Sequence, residues 1–112
     1  MPRRDKPDPL ARTIGRRIRA LRLERGMTAE RLAYESDVGS KGFLSDIERG
    51  LARPSVTTLA AIARHLDVAL FDLLTFPAKS PRSALVDATR HITPGAVRRL
   101  LREVRSAKRK KR

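Results

Sequence analysis

Between Thr28 and Gly50 the chain reads TAERLAYESDVGSKGFLSDIERG, two short helical patterns joined by turn residues. Thr28 is placed to cap the first helix, its hydroxyl accepting from an orphan amide, and Glu30 in the first turn suits the helix dipole. Leu32 and Ala33 make a small apolar patch that faces inward. Asp37, Gly39 and Ser40 supply turn chemistry, and Ser40 can cap a second helix starting near Lys41. In that helix Leu44 and Ile47 are three residues apart and bury one face, leaving Lys41, Gly42, Ser45, Asp46 and Arg49 outward. A helix with a narrow buried edge and a polar outer face, braced by a neighbour, has the form that enters a DNA major groove.

The flanking segments supply the braces. Residues 1–9, MPRRDKPDP, read as a flexible basic arm. Leu10, Ile14, Ile18 and Leu21 follow at helical spacing and predict a first helix that Gly26 ends. After the two motif helices comes a loop from Gly50 to Pro54. Ser55 can then cap a fourth helix burying Val56, Leu59, Ile62, Ala63 and Leu66, and a short fifth segment adds Phe71, Leu73 and Leu74. No strand pattern is present, so the fold class is all-α, with a domain over residues 10–76. Residues 77–93, with Pro77 and Pro81, read as a linker carrying a short helix. Thr93-Pro94 then signals a helix start, and residues 94–107 form an amphipathic helix striped with Val97, Leu100, Leu101 and Val104. Residues 108–112, KRKKR, make a solvated basic tail.

From roughly Leu10 to Leu74 the chain resembles the phage-repressor and Cro family of helix-turn-helix proteins, the Xre-type regulators. The resemblance rests on Ile14 to Arg22, Gly26-Met27 before Thr28, Leu32-Ala33, Leu44 to Gly50, Pro54-Ser55, and Leu59 through Leu74. It implies a five-helix lambda-repressor-like domain, here with an additional basic C-terminal helix, and a DNA-reading third helix. It also implies that Arg22 and Glu48 form an ion pair tying the first helix to the third. Three positions depart from the family pattern. Ala29 stands where a Gln usually braces the recognition helix, the turn SDVGS is one residue longer, and Asp67 replaces the Gly that ends the fourth helix.

The formal net charge is +14, an excess that favours a polyanionic partner. It is unevenly spread: residues 10–77 hold 11 basic and 8 acidic side chains, whereas residues 79–112 hold 12 and 2. The motif, and not the charge, selects double-stranded DNA as that partner. One Tyr, three Phe and no Trp leave few stacking platforms for single-strand or RNA readers. The absence of Cys excludes disulfides and thiolate metal sites. No apolar run approaches membrane-spanning length. His65 and His91 lack a carboxylate cluster at ligand spacing, so no metal, cofactor or enzymatic chemistry is expected.

DNA binding divides between reading bases and holding phosphates. The base-reading candidates are Ser40, Lys41, Gly42, Ser45 and Asp46. Lys41 can donate to guanine, the serines suit several bases, and Asp46 can accept from a cytosine amine. Gly42 brings no side chain and permits close backbone approach, although turn geometry would equally explain it, as capping would explain Ser40. The phosphate candidates are Arg49 and Arg53, flanking the loop after the third helix, with Arg31, Arg17 and Arg16 and the arm residues Arg3, Arg4 and Lys6. The C-terminal stripe fits either packing on the domain or a homodimer contact, with an anionic membrane as a third use. The expectation is a cytoplasmic transcription regulator, acting as a repressor because promoter occupancy needs no effector domain. The alternatives are an antitoxin-type module that sequesters a partner protein, and a nonspecific basic nucleic-acid binder.

Overall fold

The structure, a computed structural model, describes residues 6–110. Among these residues every regular element is helical. The helices are α1 (Pro9–Glu24), α2 (Ala29–Ser36), α3 (Lys41–Glu48), α4 (Val56–His65), α5 (Leu70–Leu73), α6 (Pro81–Ala88) and α7 (Pro94–Lys110). Short 3-10 turns at Pro77–Lys79 and Thr89–His91 bracket α6. The chain divides into two compact units, one ending at Phe76 and one beginning at Pro77. The all-α class expected from the sequence is the class observed.

Helix starts follow local capping chemistry. The side chains of Thr28, Ser40 and Ser55 accept from the amides of Arg31, Phe43 and Thr58 at 3.0, 3.1 and 3.1 Å. Asp8 does the same for Ala11 at 3.0 Å, so α1 begins at Pro9. The last two residues assigned to the flexible arm are therefore the cap and the first residue of a helix, because proline's fixed φ suits that position. Within residues 77–93, Ser80 caps α6 through the Ser83 amide at 3.1 Å. At the other helix ends Gly26, Asp37 and Asp67 take the left-handed conformation, at φ of 68°, 55° and 57°. Asp67 thus does the work of the family's glycine.

Ile18, Leu21, Leu32, Leu44, Ile47, Ile62, Leu66 and Leu73 form the fully buried centre of the first unit. Four apolar residues read as core are instead exposed: Leu10 at 62%, Val56 at 70%, Phe71 at 61% and Leu74 at 49%. In α1 the buried line runs through Ala11, Gly15, Ile18 and Leu21, offset by one residue at its start from the larger side chains. Gly15 stands on that line where the backbone of Ile47 and Glu48 in α3 leaves no room for a Cβ. Leu10 lines an open apolar cleft with Ile14, Pro54 and Leu59. Val56 and Phe71 each sit in the first turn of a short helix, where one side of the turn has no neighbour to pack on.

Candidate nucleic-acid interface

The connection between α2 and α3 turns through two left-handed positions, Asp37 and Gly39, the latter at φ 103°. Glycine is needed at that angle and Asp tolerates the milder one. The turn delivers Ser40 in extended conformation, and α3 starts at Lys41. Leu44 and Ile47 then face the core and fix which side of α3 is presented outward.

A buried ion pair sets the angle of α3. Arg22 Nε and Nη2 donate to Glu48 Oε2 and Oε1 at 2.8 and 3.0 Å. The same guanidinium donates from Nη1 to the Met27 carbonyl at 2.8 Å, so one side chain joins α1, the α1–α2 turn and the end of α3. Both partners are less than a tenth exposed. Here the fork geometry of Arg matters, because a Lys could not make all three bonds in fixed directions.

Two glycines not singled out in the sequence let these elements meet. A Cβ on Gly15 would collide with the backbone carbonyl oxygens of Ile47 and Glu48. One on Gly50, at φ 77°, would lie 2.7 Å from Arg12 Cα. The Asp8 amide donates to the Gly50 carbonyl at 3.1 Å, stitching the start of α1 to the loop after α3. A glycine interrupting the apolar period of α1 was the available signal for the first of these contacts.

On the outer side, Lys41 and Gly42 are exposed, and Ser45 and Asp46 are half-buried. A Cβ on Gly42 would meet only Ser40 Oγ, at 3.8 Å, so nothing in the fold requires glycine there. Ser40 is exposed, with its oxygen engaged in capping. The cations of this region are paired. Lys41 Nζ lies 3.1 Å from Glu30 Oε1, and Arg49 Nη2 lies 3.1 Å from Asp46 Oδ1. Arg53 Nη2 lies 3.1 Å from Asp8 Oδ1, and Arg31 Nε lies 3.1 Å from Glu35 Oε1. The cations of these pairs are well exposed, whereas Asp46 and Asp8 are only 21% and 25% exposed; exposed ion pairs are worth about 1 kcal/mol at most.

Arg17 has a different employment. Its Nε donates to the Asp72 carbonyl at 2.8 Å and ties α1 to α5. Arg16 is exposed, as is Lys6, whereas Arg3 and Arg4 lie outside the described residues. No group of three or more metal-ligating side chains occurs among the described residues, and no described helix is long and apolar enough to cross a membrane.

With this geometry in place, residues 13–73 match the family model described as a helix-turn-helix domain. The chain belongs to the helix-turn-helix family, in its Xre-type branch. This helix-turn-helix chain is 43% identical over 56 residues to the immunity repressor protein of Bacillus phage phi105, a match covering 50% of the chain. It spans only 38% of that repressor's length. It is 38% identical over 64 residues to the control protein C.BamHI of Bacillus amyloliquefaciens, covering 56% of the chain and 78% of that protein. Among solved structures, the SinR protein/SinI protein complex contains a chain of 32% identity and TM-score 0.61. That likeness covers 85% of this chain and 97% of the other.

Proposed function

We propose that this chain is a sequence-specific regulator of transcription that lays the outer side of α3 in the major groove of double-stranded DNA and represses by occupying promoters. The observation that carries this reading is the locked presentation of α3. Leu44 and Ile47 are buried behind it, the Arg22–Glu48 pair fixes its angle, and Lys41, Gly42, Ser45 and Asp46 are left on its open side. In this reading those residues and Ser40 address base edges. Arg49, Arg53 and Arg31 hold phosphates. The similarity to an immunity repressor and to a control protein supports regulation.

The reading extends to a cytoplasmic homodimer on two half-sites spaced about 34 Å apart, one helical turn of DNA. Val97, Leu100, Leu101 and Val104 of α7 are exposed along one side of the helix and supply an apolar seam for self-association. A second reading, a partner protein seated on that seam, draws on the complex of the SinR protein with the SinI protein.

Selection of bound sequences from a random DNA pool tests the main reading. The expected product is a symmetric consensus. With a selected duplex, Lys41→Met should relax the preference for it over a scrambled one. Arg53→Gln should weaken both alike and flatten the slope of log K against log salt by about 0.9. A pool that emerges unenriched would remove the major-groove reading.

A further inference from the structure

We propose that Glu30, Asp46 and Asp8 form a carboxylate gate that restrains sequence-independent DNA binding by occupying Lys41, Arg49 and Arg53 in the free protein. The proposal rests on α3 being the DNA-facing helix and adds the control of when its cations become available. Each carboxylate oxygen lies 3.1 Å from the cation it holds. The three carboxylates come from three separate places: Glu30 from the first turn of α2, Asp46 from α3 itself, and Asp8 from the cap of α1. A single surface pair would mean little. Three pairs converging on α3 and its following loop mean that the cations nearest the proposed groove contact are neutralised together.

The charge distribution fits this. The stretch 10–77 carries nearly as many acids as bases, 8 against 11, while 79–112 holds 12 bases and 2 acids. The net positive charge is therefore carried mainly by residues 79–112 and not by the stretch that contains the reading helix. In a loose, sequence-independent encounter the duplex stays at a distance, the pairs stay closed, and their cations release no counterions. In close docking, base contacts and tight phosphate contacts open the pairs, and the cations then count. Closed pairs thus subtract from random binding more than from fitted binding.

The gate is tested with the full-length chain on a scrambled duplex, across a salt series, using Glu30→Gln, Asp46→Asn and Asp8→Asn. Asn at position 8 keeps the capping oxygen, so α1 retains its start. Glu30→Gln is expected to tighten scrambled-duplex binding by up to about five-fold, the most an exposed pair is usually worth. It should also steepen the salt slope by about 0.9, one additional phosphate contact. Asp46→Asn and Asp8→Asn should behave alike. The decisive comparison repeats Glu30→Gln in a Lys41→Met background, where it should have no effect, because the cation it frees is gone. Equal tightening in both backgrounds would mean that only net charge matters and would overturn the gate. Because this cycle needs no preferred sequence, it is decided separately from the random-pool selection that tests the reading beneath it.

Discussion

Arg22 makes three hydrogen bonds with one guanidinium, two to Glu48 and one to the Met27 carbonyl, all in a buried setting. Removing one member of such a pair strands the other as a buried charge. Arg22→Met should therefore cost about 3–5 kcal/mol in urea unfolding, and a double Arg22→Met, Glu48→Leu variant should recover much of it. Gly42 makes the opposite case. Its position is open, and its backbone needs no special angle, so Gly42→Ala should raise folding stability by roughly 0.5–1 kcal/mol. The same methyl should weaken duplex binding if the bare backbone meets the groove. A melting temperature that rises while affinity falls is the expected signature; unchanged affinity would leave Gly42 without a role in contact. The pairing of Arg22 with Glu48 was legible through family resemblance, since 26 residues separate them and no local pattern joins them.

At the level of elements, the position of α3 depends on how closely α1 crosses it. Gly15 lies where the backbones of Ile47 and Glu48 leave no space for a Cβ. Gly15→Ala must push the two helices apart, with an expected loss of about 1–3 kcal/mol in chemical denaturation. Because α3 itself moves, duplex affinity should fall in excess of what partial unfolding explains. The starts of α2, α3 and α4 were legible because capping acts over three residues, Thr28 to Arg31, Ser40 to Phe43 and Ser55 to Thr58. The start of α1 was misplaced for an instructive reason. Asp8-Pro9 is a capping pair, but it follows four charged residues and Pro7, which gave it the look of an arm.

For the whole molecule, the relevant quantity is where the charge lies. Helix α7 spans Pro94–Lys110 with seven basic residues and one acidic residue, and the last two residues beyond it are also basic. Deleting residues 106–112 should weaken binding to scrambled DNA and flatten its salt slope, while the preference for a selected duplex persists. Loss of the preference with the helical domain still folded would shift the reading to nonspecific binding. Self-association through the α7 seam brings like charges together, so it should strengthen with added salt while DNA binding weakens. Sedimentation at two ionic strengths, with Leu100→Glu as the disrupted control, measures this.

The amino-acid sequence by itself determined the helical class, the caps of α2, α3 and α4, turn chemistry at Asp37 and Gly39, and the family, because each depends on contacts spanning a few residues or on the order of motifs. Only the tertiary structure decided which residues those elements bury and which cations they leave exposed. Ala11 and Gly15 line the α1–α3 contact where Leu10 and Ile14 had the stronger apolar signal. Arg17 is taken by a carbonyl 55 residues away, and Arg53 by a carboxylate 45 residues away. Such partners are chosen by the packing of distant helices, and a charge pattern along the chain carries no record of that distance.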